Sequence, residues 1–169
     1  MDILTLFHTG CGMGALISGG AVVGMRKGTR PHRYVGWVYV ATMTLLCVTS
    51  FFIYELFGGF GPFHVAAIIS FVSVIGGILA PLFRSQLGEE WMEAHYRFML
   101  WSYVGLVMAT GSHFFAPLGS LFYNHTPLAQ LGSLAATSIA CWGAPAAIGA
   151  YFIYSRKERA KARARAVLN

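Results

Sequence analysis

The sequence predicts an all-α integral membrane protein, and its composition and the lengths of its apolar runs are the observations that predict it. Of 169 residues, 56% are hydrophobic and only 11% are charged, whereas soluble domains carry about 25% charged residues. Apolar runs of about 20 residues are long enough to cross the hydrocarbon core of a bilayer as helices. Five such runs use most of the chain. We therefore predict one transmembrane domain of five helices over residues 1–155 and a basic cytoplasmic tail over residues 156–169.

The predicted spans, in chain order, are Ile3 to Met25, Val35 to Phe57, Phe63 to Phe83, Phe98 to Phe115 and Leu134 to Tyr154. The fourth run is short, and the amphipathic stretch that starts at Trp91 extends it towards its N-terminal side. All three cysteines fall inside apolar runs, and their spacing is not that of a zinc motif. We expect them to be small buried hydrophobic side chains.

The positions of the basic residues predict the orientation of the chain. Of the twelve Lys and Arg residues, four follow the first span, two flank the loop between the third and fourth spans, and six lie in the tail. The positive-inside rule then places the N-terminus outside and the C-terminus in the cytoplasm. We therefore expect the protein to lie in a bacterial cytoplasmic membrane. We expect the tail to bind anionic lipid headgroups rather than nucleic acid.

On this topology the histidines divide between the two membrane faces. His8, His64 and His113 lie on helices near the outer face, and His32 and His95 lie near the inner face. Ionisable side chains inside a membrane are costly, and they usually face the bundle interior with a partner. Two interpretations remain open: interfacial side chains with satisfied hydrogen bonds, or ligands of a shared group.

The spacing of two histidines on the fourth span is compatible with the ligand interpretation. His95 and His113 are 18 residues apart, which is five turns and about 27 Å along one helix face. A stacked pair of haems in a transmembrane b-type cytochrome needs axial ligands near both faces of the membrane. An iron held by two histidines has no open position, which suits electron transfer.

The first four spans show the pattern of a 2+2 repeat. The first two spans contain Phe7-His8, Gly19-Gly20, His32, Trp37 and Tyr39, and the next two contain Phe63-His64, Gly76-Gly77, His95, Trp101 and Tyr103. Membrane bundles often contain such repeats, and their sites tend to lie at the repeat interface. This symmetry would bring His8 to His64 and His32 to His95. Gly12, Ala15 and Gly19 follow His8 on the first span as a stripe of small residues. This small-residue stripe would either let helices pack closely or leave room for a flat macrocycle.

Four short stretches resemble a known family. FHTGCGMGAL, HRYVGWVY, GPFH and HYRFMLWSYVGL lie between residues 5 and 117, and together they resemble domain-of-unknown-function family 2306, which comprises small predicted bacterial membrane proteins. The resemblance implies a core of four histidines, His8, His32, His64 and His95, and implies no biochemical activity. Tyr96-Arg97 departs from the adjacent basic pair usual in the family. His113 and the fifth span lie outside the resemblance.

The first functional hypothesis is a b-type haem protein that transfers electrons in or across the membrane. The outer haem would use His8 and His64, with His113 as a substitute ligand, and the inner haem would use His32 and His95. Two arginines, Arg33 and Arg97, follow the inner histidines closely enough to pair with haem propionates. This hypothesis implies a redox partner or a quinone.

Two other hypotheses remain open. His8, His64 and His113, with Glu55 nearby, would form an outer-face site for zinc or copper. Alternatively, the protein is a non-catalytic accessory or quinone-binding subunit, either as a homo-oligomer or in a larger membrane complex. The sequence contains no Ser-His-Asp spacing, Walker-type glycine loop or paired carboxylate within a span, so it offers no basis for a soluble-enzyme chemistry. Whether the protein is an enzyme is left open.

Overall fold

The structure, a computed structural model, describes residues 2–53, 59–121 and 136–155. The side chains of Pro62 and of residues 113–121 lie outside this description. Within the described ranges every regular element is a helix and no strand occurs, which confirms the all-α prediction. The chain divides into two compact units, Met1–Thr110 and Gly111–Asn169. The predicted tail, residues 156–169, lies outside the described residues.

The helices, in chain order, are α1 Ile3–Gly24, α2 Arg30–Ser50, α3 Pro62–Leu82, α4 Arg84–Leu87, α5 Trp91–Leu121 and α6 Ala136–Ser155. The five long ones correspond to the five predicted spans. Three of the described helical stretches, Ile3–Gly24, Phe63–Leu82 and Ala136–Ser155, are long and apolar enough to cross a membrane. Helices α2 and α5 are less apolar because aromatic and polar side chains, such as Tyr39 and Ser102, occur along them.

Helix α2 differs from its predicted span at both ends. It begins at Arg30, five residues before Val35, because the Thr29 side chain caps it by accepting a hydrogen bond from the His32 amide at 3.4 Å. Helix α2 ends at Ser50, where the Ser50 hydroxyl donates to the Cys47 carbonyl oxygen at 2.7 Å. Such local bonds compete with the helical ladder. Residues 54–58, which the predicted span includes, lie outside the described residues.

Side-chain caps define both ends of α1. Asp2 accepts a hydrogen bond from the Thr5 amide at 2.7 Å. Hydrogen bonds from Thr5, its side chain first and then its backbone, lower the pKa of the Asp2 carboxyl. At the other end, the Lys27 ammonium donates to the carbonyl oxygens of Val22 and Val23, each at 2.7 Å. Cationic side chains stabilise exposed carbonyls at a helix C-terminus. These contacts fix where the loop between α1 and α2 begins.

The core of the first unit lies where α1, α2, α3 and α5 meet. Its buried residues are Ala15, Tyr39, Met43, Cys47, Ala67, Val74 and Leu106. Many large apolar side chains point outward instead: Ile17 is 69% exposed, Ile69 62% and Leu82 69%. Exposed apolar surface on this scale is unusual for a soluble monomer. It is the surface expected of helices that face lipid.

The second unit contains α6, whose helical ladder is irregular before its proline. Residues Ile139–Gly143 form a π-helical turn, and Pro145 follows two residues later. A proline within a helix removes one hydrogen bond and clashes with the carbonyl four residues earlier, which here belongs to Cys141. Wider π turns relieve such conflicts. The three cysteines, Cys11, Cys47 and Cys141, are free and buried, as predicted.

Candidate functional site

The four core histidines lie at the two ends of the first unit. His8 and His64 contact residues at the C-terminal end of α2, Thr49 and Phe51 respectively. His32 lies in the first turn of α2, at the opposite end of that helix. We call these the outer end and the inner end of the unit, after the orientation that the basic residues predict. His95 also lies at the inner end, because it bonds to Gly77 towards the C-terminal end of α3.

At the inner end, His95 forms a hydrogen bond with a backbone carbonyl that has no amide donor within its own helix. Nδ1 of His95 donates a hydrogen bond to the Gly77 carbonyl oxygen at 2.7 Å. In a regular helix this carbonyl would accept from the amide four residues later, but that residue is Pro81, which has no N–H. The bond therefore satisfies a carbonyl that α3 cannot. It also places the imidazole proton on Nδ1, which leaves the lone pair of a neutral ring on Nε2.

The second inner histidine, His32, carries a ring nitrogen with no partner. Its Nδ1 is buried and makes no hydrogen bond to the described residues. Burial lowers the pKa of His32, and the nearby charges of Lys27 and His95 lower it further. The ring is therefore held in the neutral form that binds metals.

At the outer end, His64 is a capping residue. It is 4% exposed, and its Nδ1 accepts a hydrogen bond from the Gly61 amide at 3.0 Å. This is the contact that a Glu or Gln makes in a capping box at a helix N-terminus. Its ring also stacks on Phe60, with 5.0 Å between centroids. Because Nδ1 is an acceptor, the proton of the neutral ring lies on Nε2, so binding a metal would disrupt the cap.

The other outer histidine, His8, bonds across to α2. Its Nδ1 lies 2.8 Å from Oγ1 of Thr49. That hydroxyl also contacts the Leu45 carbonyl oxygen at 2.8 Å. The contact with His8 ties α1 to the C-terminal end of α2.

Both arginines predicted to pair with haem propionates have protein partners. The Arg33 guanidinium donates to the Gly28 carbonyl oxygen at 3.2 Å. Arg97 pairs with Glu93 one turn earlier on α5, at 3.6 Å, and both side chains are partly exposed. Exposed pairs of this kind contribute little to stability and exchange partners readily. A propionate role for either arginine would require it to leave its present contact.

Neighbouring side chains fill the space beside Gly19, in the small-residue stripe of α1, and beside Gly77 in α3. A Cβ on Gly19 would lie 2.5 Å from the Tyr103 ring and 2.9 Å from the Tyr39 ring, and one on Gly77 would clash with Met99. The stripe therefore serves close helix packing. At the level of Gly19 and Gly77 this packing leaves no room for a flat macrocycle.

The outer metal set lies partly outside the description. His113 belongs to α5, but its side chain is not among those described, and neither is Glu55. Among the residues that the structure does describe, no three His, Cys, Asp or Glu side chains are grouped closely enough to hold a metal ion. The zinc or copper site at His8, His64 and His113 stays a prediction.

Comparison with protein families gives a match over most of the chain. The model of the family described as predicted membrane protein (DUF2306) matches residues 5–153. The chain belongs to the DUF2306 family. No curated protein and no solved structure matches it. The expected family is thereby confirmed, and so is the membrane character of the protein.

The family match corrects one expectation. The resemblance in the four short stretches ends near residue 117, whereas the DUF2306 match continues to residue 153, so the fifth span lies within the family region. Short motifs miss α6 because its residues carry no histidine and few polar side chains. Helical apolar sequence alone provides little that is specific to a family.

The histidine partners were not part of the sequence prediction. Gly77, Pro81, Thr49 and Gly61 are the residues that fix the histidine rings. One of these contacts had a signal in the sequence: a proline four residues after Gly77 predicts a carbonyl without a helical donor. The contact between His8 and Thr49 depends on which helices touch, and the contact between His64 and Gly61 depends on the local backbone before α3.

Proposed function

We propose that this DUF2306 protein is a b-type haem protein of the bacterial cytoplasmic membrane, with His32 and His95 as the axial ligands of a haem at the inner end. Its role would be to pass electrons to or from a redox partner. The observation that carries the proposal is the hydrogen bond from Nδ1 of His95 to the Gly77 carbonyl oxygen. Metal-binding histidines commonly use the N–H of their second ring nitrogen to donate a hydrogen bond to a backbone carbonyl or a carboxylate.

The donor set at the inner end is compatible with haem. His95 presents the lone pair of Nε2, and His32 contributes a buried ring nitrogen without a protein partner. Two neutral imidazoles are a common axial pair in electron-transfer haem proteins. Tyr39, Tyr103 and Met99 fill the space beside Gly19 and Gly77, so a haem held by His32 and His95 would lie beyond these contacts.

Haem supplies one-electron chemistry through its iron when it is bound. The protein residues would hold and orient it. The Gly77 carbonyl fixes the ring plane of His95 and raises the basicity of Nε2 through the hydrogen bond. Pro81 keeps that carbonyl available because it offers no competing N–H. Ligation by two histidines would leave no open position on the iron, so electron transfer is favoured over oxygen chemistry.

The outer pair supports a haem less well. The capping bond uses the Nδ1 lone pair of His64. A second haem on His8 and His64 would require this ring to change its tautomer and release the Gly61 amide. We therefore assign the proposed haem to the inner pair.

The test is the absorption spectrum of the full chain, purified from cells supplied with a haem precursor and recorded oxidised and dithionite-reduced. The proposal expects a Soret band that shifts on reduction. His32→Gln and His95→Gln should each remove most of the bound haem. His64→Gln is the matched control, because glutamine can replace the capping contact, and it should keep the haem of the wild type.

Two results would overturn the proposal. One is a wild-type protein with no reducible Soret band, both as purified and after addition of haem. The other is a pair of folded inner variants that keep the wild-type haem content. Folding of each variant is established by a single symmetrical peak in size-exclusion chromatography and by the thermal transition.

A further inference from the structure

One exposed side of α2 carries arginines in its first turn and aromatic rings directly after them. Arg30 and Arg33 are exposed, and Tyr34 and Trp37 are 74% and 63% exposed. Because residues three, four and seven positions apart share one side of an α-helix, these four side chains lie together. Tyr39 is buried on the opposite side of the helix. The arginines and the aromatic rings therefore face away from the core of the first unit.

The turn between α1 and α2 brings a third arginine to the same end of α2. The Thr29 hydroxyl, which caps α2, donates a hydrogen bond to the Arg26 carbonyl oxygen at 2.9 Å. This bond holds the backbone of Arg26 beside the start of α2, and the Arg26 side chain is exposed. We call this set of residues the inner cationic surface: Arg26, Arg30, Arg33, Tyr34 and Trp37.

The charge of this surface is not neutralised by neighbouring carboxylates. No Asp or Glu occurs between residues 3 and 53, so α1, α2 and the turn between them supply no counter-charge. Within the part of the chain that the structure describes, Arg26 and Arg30 form no ion pair. Arg33 donates one N–H to the Gly28 carbonyl oxygen, and a guanidinium has five N–H donors. The surface thus has hydrogen-bond donors and positive charge available for an anion.

The same side of α2 continues beyond the aromatic rings as an exposed apolar strip. Ala41 is exposed, and Leu45 and Val48 are 45% and 46% exposed. These positions repeat at the helical spacing that starts at Arg30 and passes through Trp37. An occupant of this side of the helix must therefore be anionic at one end and apolar along its length. A phospholipid has both properties, whereas a soluble acidic protein would leave the apolar strip exposed.

We infer that the inner cationic surface binds the headgroup of an anionic phospholipid, with its arginines donating hydrogen bonds to the phosphate. Guanidinium groups bind phosphate oxygens through two parallel hydrogen bonds, and anionic lipids attract basic side chains next to membrane-spanning helices. Tyr34 and Trp37 lie at headgroup level, where amphipathic rings are enriched. The inference is independent of the proposed haem, and it concerns a different part of the chain from the tail over residues 156–169.

The test measures which phospholipid lies beside Trp37 in the full chain, reconstituted in mixed vesicles of phosphatidylglycerol and phosphatidylcholine. The other three tryptophans are replaced by phenylalanine, so that Trp37 alone reports. Lipids brominated on their acyl chains quench its fluorescence in proportion to their occupancy beside it. The inference expects phosphatidylglycerol to be preferred about fivefold or more, as expected for one or more arginine contacts. The preference should fall between about 0.1 M and 1 M salt, because salt screens exposed charges.

Removal of single charges tests which residues attract the lipid. Arg26→Gln and Arg30→Gln should each lower the preference about twofold to fivefold, whereas Arg30→Lys keeps the charge and should retain most of it. Arg84→Gln is the matched control, because it removes one exposed charge from α4 and should leave the preference at Trp37 unchanged. Arg26 and Arg30 are exposed, so these variants should fold as the wild type does.

A second control moves the reporter to the other end of α2. Phe52→Trp, with phenylalanine at all four native tryptophans, places an indole at a 66% exposed position just after the helix, and it should report no preference for phosphatidylglycerol. Three results would overturn the inference: no preference at Trp37, an equal preference in the Phe52→Trp protein, or an equal loss in Arg84→Gln and Arg30→Gln. The last would show that net charge rather than this surface attracts the lipid.

Discussion

Tyr39 on α2 and Tyr103 on α5 meet edge to face, with 6.3 Å between ring centroids and 63° between ring planes. These residues occupy equivalent positions in the predicted 2+2 repeat. Both rings press on Gly19 of α1, and the Tyr103 hydroxyl donates to the Leu16 carbonyl oxygen at 3.2 Å. The centre of the first unit is thus packed and hydrogen-bonded, and the two pairs of histidines lie at its two ends.

Substitution of Gly19 by alanine should destabilise the protein. The added Cβ would lie 2.5 Å from the Tyr103 ring, and overpacking of this kind costs about 1–3 kcal/mol. Gly10→Ala on the same helix is the control, since nothing lies within 4 Å of its Cβ position, and it should leave stability unchanged or raise it by up to about 1 kcal/mol. Thermal unfolding in detergent measures both. Equal stability of the two variants would contradict the packing described.

Tyr39 and Ser102 form a hydrogen bond, and removing the Ser102 hydroxyl should destabilise the protein more than removing the Tyr39 hydroxyl. The two oxygens lie 2.8 Å apart, and the Ser102 hydroxyl also contacts the Met99 carbonyl oxygen at 2.8 Å. Ser102→Ala leaves a buried tyrosine hydroxyl unpaired and should cost about 1–3 kcal/mol, whereas Tyr39→Phe leaves the serine its carbonyl partner and should cost about 0.5–1.5 kcal/mol. A double-mutant cycle by thermal unfolding tests this order. A larger loss for Tyr39→Phe would contradict it.

His64 should be replaceable by glutamine but not by leucine. Leucine removes the acceptor of the Gly61 amide, and loss of a cap costs about 0.5–2 kcal/mol. Glutamine at this position of a capping box restores an acceptor, so His64→Gln should recover most of that stability. Thermal unfolding of the two variants measures their loss of stability relative to the wild type. If they were equally destabilised, the hydrogen bond would not be the source of the histidine's contribution.

His95 and Pro81 should be energetically coupled through the Gly77 carbonyl. His95→Ala leaves this carbonyl without a donor and should cost about 1–3 kcal/mol. In a Pro81→Ala background the helix supplies an amide N–H to the same carbonyl, so the cost of His95→Ala should fall. His32→Ala serves as the control, because its effect should be the same in both backgrounds. Additive effects of His95→Ala and Pro81→Ala would count against this arrangement.

The predicted orientation is open to a labelling experiment. Phe60, on the loop predicted to lie outside, and Glu89, on the loop predicted to lie inside, are both exposed. The native cysteines are buried, so an impermeant maleimide should label intact cells only through an introduced cysteine. We expect Phe60→Cys to react in intact cells and Glu89→Cys only after lysis. The reverse pattern would show that the N-terminus is cytoplasmic.

The sequence by itself determined the all-α class, the five long helices and the family, because length and hydropathy act along the chain. It also gave Tyr39 and Tyr103 as equivalent positions of the predicted repeat, whereas the contact between their rings was decided by the fold. Only the tertiary structure decided what the histidines do. A sequence shows where a histidine lies on its helix, but a hydrogen bond fixes its tautomer, and the partners come from other helices or depend on the local backbone. Thus His95 donates to the Gly77 carbonyl, for which Pro81 supplies no N–H, while His64 caps α3 by accepting from the Gly61 amide.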